Sequence, residues 1–271
     1  MVGAKLGQSS IFVRYIKNMR PYILAETNWQ ALKDAQFELA VLPWGATEAH
    51  NYHLPYGTDI FEGEEFAAAA AKFAWETGAK PIVLPCIPFG VNTGQSDIYL
   101  DINLNPSTQF AILCDIAETL NRQGLYKLLI FNAHGGNDFK AMVRELGLKF
   151  PEMFISVCFC FNAVDRKLFF DEPGDHADEM ETSLLLYLKP GLVLPKETWG
   201  SGTEKKNKIG VYKEGWVWAE RKWSQITEDT GVGNPALATK EKGEAFFNAV
   251  AEKAGKLLYD LCKADIHDLY A

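Results

Sequence analysis

The sequence predicts an α/β protein whose mostly parallel central sheet is covered by helices on both faces. Short apolar runs alternate along the chain with longer amphipathic stretches, a pattern typical of parallel strands joined by crossover helices. The apolar runs are hydrophobic at nearly every position, as strands are when helices cover both faces of their sheet. Polar segments rich in histidine follow two of these runs, at the place where parallel sheets bind their ligands.

In chain order, the first predicted strand is Glu38–Pro43, a short apolar run of the length of a buried strand. The first predicted helix, Ile60–Glu76, contains five consecutive alanines, and alanine is the strongest helix former. A second strand at Lys80–Leu84 and a second helix at Pro106–Gln123 repeat this order. The chain therefore begins as strand, helix, strand, helix.

The second half of the chain continues the pattern with two strands and three helices. In order, these are Lys127–Phe131, Asp138–Lys149, Ile155–Phe161, Met180–Leu188 and Lys240–Lys263. Before the last helix, residues 198–235 are richer in glycine, tryptophan and charge. We expect this stretch to be an excursion over the sheet, a lid or an oligomer contact, so residues 1–271 are predicted to form one domain.

The composition is that of a soluble globular protein and argues against several classes of partner. A formal net charge of −8 disfavours nucleic acid and anionic membranes, because both require a basic protein surface. No apolar run approaches the roughly 20 residues that cross a bilayer, and the first twenty residues lack the apolar core of a signal peptide. The five cysteines form no CxxC pair, and unpaired thiols suit a reducing cytosol.

Four of the five histidines lie in three short polar segments that interrupt otherwise apolar sequence. The segments are GATEAHNYHLPYGTD (45–59), NAHGGN (132–137) and DHADEMETS (175–183). Histidine is the commonest metal-ligating side chain, and carboxylates stand beside it in the first and third segments. Loops that follow different strands of an open α/β sheet can converge on one crevice. These segments therefore predict a metal site and a hydrolase.

The first two segments supply a plausible set of metal ligands. Glu48 and His50 are two residues apart, so in an extended segment both side chains point to the same side. Asp59 follows a turn that brings it back toward them, and His134 arrives from another strand. Two imidazoles and two carboxylates suit zinc, manganese or iron better than magnesium or calcium. A carboxylate bridging two such cations, about 3.5–4 Å apart, would activate a shared water for attack on an amide-type carbonyl.

The other polar residues of these segments leave alternatives open. His176 is the candidate for the group that carries a proton to the leaving nitrogen. His134 is compatible with a structural role as well as a ligand, and His53 with a ligand, an orienting residue or a loop contact. Glu179 and Glu181 are compatible with metal ligands or with a solvated helix start, where carboxylates are favoured.

Together the segments resemble the motifs of the creatininase (creatinine amidohydrolase) family. PWGATEAHNYHLPYGTD is similar to the pattern P-x-G-x-x-E-x-H-G-x-H-L-P-x-x-T-D, with Asn51 in place of a glycine. NAHGGN resembles N-x-H-G-G-N, and HADEMETS resembles H-A-G-E-x-E-T-S with Asp178 in place of a glycine. GVGNPALATKEKG (231–243) is similar to a fourth, weaker motif. The resemblance covers most of the chain and implies a layered α/β/α fold.

The resemblance also implies roles for individual residues. Glu48 would bind one metal ion and His50 the other, with Asp59 bridging both and His134 as a further ligand. His176 corresponds to the family's catalytic histidine, so His176 and Glu48 are the predicted catalytic residues. The cofactor implied is a pair of divalent ions, zinc above all, with manganese or iron as alternatives. The family is commonly hexameric and cytoplasmic in bacteria, so we expect a cytoplasmic homo-oligomer acting on a small molecule.

One ligand of the family pattern is missing from this chain. Creatininase has a glutamate two residues after the histidine of the second motif, and Gly136 stands there in this sequence. The missing carboxylate must come from elsewhere. We expect Glu179 to supply it, with Glu181 as the alternative, because both lie in the motif that contains His176.

The predicted function is hydrolysis of a C–N bond in a small cyclic amide or formamide, with metal-bound hydroxide as the nucleophile. Many relatives carry a G-x-S-x-x-H element where this chain has Asn92 and Gln95, so the substrate is left open. The family also includes formamide deformylases and a peptidase. The alternatives are a formamide deformylase or a non-catalytic, metal-stabilised binding protein. A nucleotide-binding enzyme is disfavoured because G-x-G-x-x-G and P-loop signatures are absent.

Overall fold

The computed structural model describes residues 20–271, with a four-stranded parallel sheet at its centre. The strands are β1 (Leu39–Trp44), β2 (Pro81–Val83), β3 (Lys127–Asn132) and β4 (Phe154–Phe159). Their order across the sheet is β2-β1-β3-β4. Trp44, the last residue of β1, pairs with Asn132, the last residue of β3. The polar segments that follow these two strands therefore start side by side.

Successive residues of the strands face two separate hydrophobic cores. Val41 and Phe131 belong to one core, whereas their neighbours Leu42 and Ile130 belong to the other. Side chains alternate between the two faces of a strand, so a strand buried on both faces is apolar at every position. This burial explains the continuous hydrophobic runs in the sequence.

Helices cover both faces of the sheet. They are α1 (Trp29–Leu32), α2 (Thr58–Glu76), α3 (Pro106–Arg122), α4 (Lys140–Lys149), α5 (Glu179–Leu188), α6 (Trp223–Ile226) and α7 (Lys240–Lys263). On one face α2, α5 and α7 contribute Phe66, Leu184 and Phe246 to a shared core. On the other face α3 and α4 contribute Leu113 and Leu146. The result is a layered α/β/α arrangement.

The start of α2 is held unusually close to the end of β1. Gly45 follows β1 directly, and a Cβ atom at this position would lie only 2.8 Å from the backbone carbonyl carbon of Asp59. A side chain here would push the helix start away, so glycine permits the close approach. As a consequence, Asp59, in the first turn of α2, lies next to the loop that follows β1.

A second, very small sheet joins the third polar segment to the late part of the chain. β5 (Gly174–His176) pairs antiparallel with β6 (Val232–Gly233), and His176 lies opposite Val232. Residues 198–235 otherwise contain short 3-10 turns and α6. This stretch therefore returns to the edge of the sheet beside His176.

The predicted α/β fold with a mostly parallel sheet is confirmed. All four predicted strands and all five predicted helices are present, and their ends agree within two residues. The sequence missed four short elements, α1, α6, β5 and β6. Residues 1–19 lie outside the described residues. They include nearly all of the segment that lacks the apolar core of a signal peptide, and also the start of the predicted 1–271 domain. Within residues 20–271, no helix is both long and apolar enough to cross a membrane.

Candidate metal centre

Polar side chains from distant parts of the chain meet at the carboxyl end of the sheet. Glu48 and His50 lie on the loop after β1, and His134 lies on the loop after β3. Asp59 comes from the first turn of α2, and His176 ends β5. All five side chains are buried. The structure therefore brings together the residues that the sequence predicts for the site, with one exception described below.

The carboxylate of Asp59 lies between two histidines. Its Oδ1 is 3.0 Å from Nε2 of His50, and its Oδ2 is 2.8 Å from Nδ1 of His134. These are hydrogen-bond distances. Two ligand atoms held about 2.1 Å from one tetrahedral ion lie only somewhat farther apart, at roughly 3.4 Å, so a small displacement of the side chains would admit an ion. Each oxygen faces a different imidazole, which is the arrangement that a bridging carboxylate requires.

Each of these histidines turns toward the carboxylates the ring nitrogen that carries no proton when the ring is neutral. Nε2 of His134 lies 3.1 Å from the carbonyl oxygen of Val91, and Nδ1 of His50 lies 3.0 Å from that of Glu48. Carbonyl oxygens only accept hydrogen bonds, so these nitrogens carry the proton of the neutral ring. The opposite nitrogen of each ring is then a lone pair that faces carboxylate oxygens. Such an arrangement requires a cation or a proton between them.

When the ring of His134 is neutral, two buried carboxylate oxygens lack a hydrogen-bond donor among the described residues. They are Oε1 of Glu48 and Oδ2 of Asp59, and both lie within 3.0 Å of Nδ1 of His134. A buried acceptor without a donor costs about 1–3 kcal/mol, and more when it is charged. A divalent cation among Glu48, Asp59 and His134 would satisfy all three groups.

A second group of three candidate ligands shares Asp59 with the first and consists of His50, Asp59 and Glu181. A third group, Glu48, His50 and His176, overlaps the first at Glu48 and the second at His50, and it lacks Asp59. Oε2 of Glu181 is 4.0 Å from Nε2 of His50. The sequence predicts Glu179 as the carboxylate at this place, and the structure corrects that prediction. The alternative, Glu181, is the residue that reaches the site.

Glu179 is directed away from the cluster by other partners. Its Oε2 accepts hydrogen bonds from the backbone N–H groups of Asp171, at 2.9 Å, and Glu172, at 2.7 Å. Its Oε1 forms an ion pair with Lys242 on α7. Glu179 therefore ties the loop before β5 to α7, and its burial reflects this structural role.

The start of α5 determines which glutamate faces the site. Asp178 is the N-cap residue, and its side chain accepts from the N–H groups of Met180, at 2.9 Å, and Glu181, at 3.1 Å. Glu181, the third residue of the helix, folds back and accepts from the N–H of Ala177. This resembles a capping box, in which the third helical residue reaches back over the helix start. The pattern D-x-x-E is the signal that favours Glu181 over Glu179.

The structure also explains why position 136 is a glycine and has no carboxylate side chain to bind a metal. A Cβ atom on Gly136 would collide with the carbonyl oxygen of Val91 and with Nε2 of His134, which face each other here. Any side chain at this position would break the contact that orients His134. A carboxylate ligand supplied by α5, instead of by position 136, leaves the conformation of this loop unchanged.

His176 lies at the edge of the cluster and faces it with one nitrogen. Its Nε2 is 2.8 Å from the carbonyl oxygen of Ala49, and its Nδ1 is 3.8 Å from Oε1 of Glu48. The carbonyl fixes the proton on Nε2, so Nδ1 is the free base. The ring packs against His50, with centroids 4.2 Å apart, and against the edge of Trp223 at 4.7 Å.

The acidic surroundings strengthen proton binding by two of the histidines. Burial alone would lower the pKa of His50, but the Asp59, Glu48 and Glu181 carboxylates outweigh it and raise this pKa to about 10. The pKa of His134 is likewise raised, because Glu48 and Asp59 outweigh burial. A field that binds protons this firmly also attracts divalent cations.

His176 and Glu181 are shifted differently. Burial, aided by the positive charge of His50, lowers the pKa of His176, so its ring is neutral near pH 7. Burial raises the pKa of Glu181 to about 8, so this side chain holds a proton at neutral pH until a cation displaces it. His176 thus has the protonation state of a general base.

His53 lies outside all three groups of candidate ligands. Its Nε2 is 2.9 Å from the hydroxyl oxygen of Thr182, and its ring stacks on Trp199 with centroids 4.7 Å apart. Burial lowers the pKa of His53 to about 4, so the ring is neutral. These contacts favour the loop-contact interpretation, since they join the first polar segment to α5 and to the stretch after it.

The cluster forms the floor of a cleft of about 650 Å³. One wall is the turn that contains Asn92 and Gln95, and the opposite wall is the segment from Trp218 to Trp223. The two walls touch where the hydroxyl of Thr93 donates to Glu220, at 2.9 Å. Part of the tryptophan-rich stretch thus lines the cleft.

Comparison with known proteins identifies the family of this chain. The sequence model of the creatinine amidohydrolase family matches residues 25–258. The chain belongs to the creatininase family. Among curated relatives, the mycofactocin precursor peptide peptidase of Mycobacterium tuberculosis is 26% identical over 224 residues, which cover 78% of this chain and 81% of the relative. This chain is thus a member of a hydrolase family, with residue groups able to bind metal ions.

Solved structures support the same assignment of the fold. A Bacteroides fragilis protein named provisionally as a creatinine amidohydrolase is 38% identical, with a TM-score of 0.87, covering 93% of this chain and 99% of its own. Two creatininase structures, described as Zn–Zn type and as Mn, are 19% identical. Their TM-scores are 0.71 and 0.72, and each comparison covers 90% of this chain and 99% of theirs. At this identity they show the fold alone.

Proposed function

We propose that this protein is a metal-dependent hydrolase that cleaves a C–N bond in a small cyclic amide or formamide. The observation that carries the proposal is the position of Asp59, whose two oxygens each face a ring nitrogen of a different histidine, His50 or His134. Glu48 completes one group of ligands and Glu181 the other. Two divalent ions would therefore share one carboxylate.

The donor set favours zinc, with manganese or iron as alternatives. Imidazole nitrogens and carboxylate oxygens suit these ions, and no cysteine lies in either group. The creatininase structures described as Zn–Zn and Mn forms support the same choice of metals. When bound, a pair of such ions lowers the pKa of a shared water and polarises a carbonyl.

The side chains around the ions would move and hold the protons of the reaction. His176 accepts the proton of the attacking water at Nδ1, which is bare and 3.8 Å from Oε1 of Glu48. Its other nitrogen stays fixed on the carbonyl of Ala49, so the ring can return that proton to the leaving nitrogen without turning. Glu48 would hold a cation, and its Oε1 faces the base His176, which is the catalytic contribution we assign to it.

The cleft supports a small substrate. Its volume of about 650 Å³ lies within the range of small-molecule sites, roughly 300–1,000 Å³. The similarity to mycobacterial peptidases favours a peptide bond as the second candidate. The formamide deformylase and the non-catalytic binding protein are the remaining alternatives. A cytoplasmic location and a homo-oligomer, in particular a hexamer, stay predictions.

Metal analysis combined with kinetics tests the proposal. Protein loaded with Zn²⁺ or Mn²⁺ is assayed against cyclic amides, formamides and short peptides, and one class is expected to be hydrolysed. Asp59→Ala should lose both metal and turnover, because Asp59 belongs to both of the groups that we propose to hold the two ions, Glu48–Asp59–His134 and His50–Asp59–Glu181. His176→Ala should lose turnover by about 10²–10⁴-fold and keep its metal.

His267→Ala is the control, since this histidine is exposed and lies far along the chain from the site. It should keep both metal and activity. Full activity in protein stripped of metal would overturn the mechanism. Tight binding of an amide without hydrolysis by any metal form would instead identify a binding protein.

A further inference from the structure

Gln95 lies directly behind one of the candidate metal ligands. Its side-chain Nε2 donates a hydrogen bond to Oε2 of Glu48, and both side chains are buried. The other carboxylate oxygen, Oε1, is the one that lies 3.0 Å from Nδ1 of His134. The two oxygens of Glu48 therefore have separate partners, one an amide N–H and the other the cation site.

The direction of this hydrogen bond follows from the chemistry of the two groups. An ionised carboxylate only accepts, so Gln95 must face Glu48 with its NH₂ end. No other side chain or backbone N–H within residues 20–271 donates to Oε2 of Glu48. Without Gln95, this oxygen would be a buried anionic acceptor without a donor.

The turn that carries Gln95 is itself fixed to the strand end beside Glu48. The backbone N–H of Gln95 donates to the carbonyl of Asn92 at 3.0 Å. The Asn92 side chain donates to the carbonyl of Thr47 at 3.3 Å, and its backbone N–H donates to Asn103 at 2.9 Å. Because Thr47 precedes Glu48, the amide of Gln95 is held in place before any metal binds.

We propose that Gln95 is a positioning residue for the metal pair. By occupying Oε2, it makes Glu48 bind through Oε1 alone and directs that oxygen into the space shared with His134 and Asp59. Hydrogen-bonding partners that orient metal ligands typically contribute 10–100-fold to metal affinity. This inference rests on the proposed metal pair. The turn after β2, which contains Gln95, would then contribute to metal binding as well as form a wall of the cleft.

Metal affinity tests the inference independently of turnover. Zn²⁺ is titrated in competition with a chromophoric chelator into metal-free wild-type protein and Gln95→Met. Methionine keeps the volume and removes the donor. The wild type should bind two equivalents, and Gln95→Met should bind one of them about 10–100-fold more weakly, with the other unchanged.

Thr93→Val is the matched control, because it lies on the same turn and contacts Glu220 instead of Glu48. It should bind both equivalents as the wild type does. Gln95→Glu, nearly identical in shape, replaces the donor with a second carboxylate and should also weaken one equivalent. If Gln95→Met does not fold, Gln95→Glu decides alone.

The outcomes separate this inference from the proposed function. Wild-type affinity for both equivalents in Gln95→Met, or in Gln95→Glu if that variant decides, would overturn the positioning role and leave the metal pair intact. A wild-type protein that binds no divalent metal would overturn the proposed function itself, and the inference with it. Equal weakening of both equivalents would contradict a role confined to Glu48.

Discussion

Each imidazole of the site is held through one nitrogen by a backbone carbonyl and directs the other nitrogen toward carboxylates. The carbonyls belong to Glu48, Val91 and Ala49, and they hold His50, His134 and His176, in that order. The sequence predicts the three histidines because they interrupt apolar runs. It does not predict the carbonyls, because these depend on the path of loops that meet only in the folded chain. Such contacts orient metal-binding histidines and fix their tautomer.

Proton release on metal binding follows from the pKa values of these groups. In metal-free protein at pH 7, the pKa of His50 is about 10 and that of His134 is raised, so both rings hold an extra proton. Metal binding must displace it, and about two protons or more should be released per protein. Calorimetry in buffers of different ionisation enthalpy measures this number. Affinity should rise with pH as these protons become easier to remove.

Ordinary histidines would behave differently in the same experiment. With a pKa of about 6.5, each would be mostly neutral at pH 7 and would release well under one proton. Release of less than one proton in total would therefore contradict the strongly acidic field described for His50 and His134.

The choice between Glu179 and Glu181 shows where the sequence stops being informative. Residues two apart on an α-helix differ in direction by about 200°, so only one of these carboxylates can face the site. The family motif contains both glutamates and does not decide between them. The rotation of α5 about its axis can be read from the sequence only through the D-x-x-E pattern of its cap. That rotation is fixed by Asp178, which caps the helix, and by Lys242, which pairs with Glu179 across to α7.

Isosteric variants of the two glutamates separate their roles. Glu181→Gln should lower the affinity of one metal equivalent on the order of 100-fold or more, because a ligand is lost. Glu179→Gln should leave both affinities unchanged and lower the free energy of unfolding by about 1–3 kcal/mol, since its contacts with Lys242 and the loop weaken. Metal titration and chemical denaturation measure these effects. The reverse result would restore Glu179 as the ligand.

The stretch from 198 to 235 is attached to the first polar segment through Asn51. The side-chain oxygen of Asn51 accepts from the N–H of Gly200 at 2.8 Å, and its NH₂ donates to the carbonyl of Gly200 at 3.2 Å. Asn51 has a φ of 52°, in the left-handed region that glycine and asparagine tolerate. The left-handed backbone explains how asparagine can stand where the family pattern has glycine. The asparagine side chain adds the two hydrogen bonds to Gly200, which a glycine cannot form.

Replacing Asn51 tests this connection. Asn51→Gly keeps the backbone conformation and removes both hydrogen bonds to Gly200, together with the one that the Asn51 side chain accepts from the N–H of Tyr52, so the free energy of unfolding should fall by about 1–3 kcal/mol. Asn51→Ala removes the same bonds and adds strain at positive φ, so it should be less stable by a further ~1 kcal/mol. Thermal unfolding compares the two variants with the wild type. Equal stability of wild type and Asn51→Gly would show that the connection contributes nothing.

Helices and strands with many apolar positions could be predicted from the sequence, whereas the shortest elements could not. Buried strands and long helices carry enough apolar positions for their ends to be placed within two residues. β5 and β6 are too short to show any period, and two of their residues are glycines. Their pairing depends on residues almost sixty positions apart, so only the folded chain reveals that it brings Val232 next to His176.

In the molecule as a whole, the sheet determines where the chemistry lies. Parallel order makes the ends of β1 and β3 adjacent, so two of the three polar segments had to meet once the fold was known. The third segment joins them through α5 and the β5–β6 pair. The assembly of several chains depends on surfaces that a single sequence does not identify. The hexamer expected by resemblance therefore remains a prediction.

The central claim is that two cations share the carboxylate of Asp59. Crystals of Zn²⁺-loaded protein, measured at energies on both sides of the zinc absorption edge, test it directly. We expect two anomalous peaks about 3.5–4 Å apart, one beside Glu48 and His134 and the other beside His50 and Glu181, with Asp59 between them. An absence of peaks at saturating zinc, or a peak that does not contact Asp59, would contradict it.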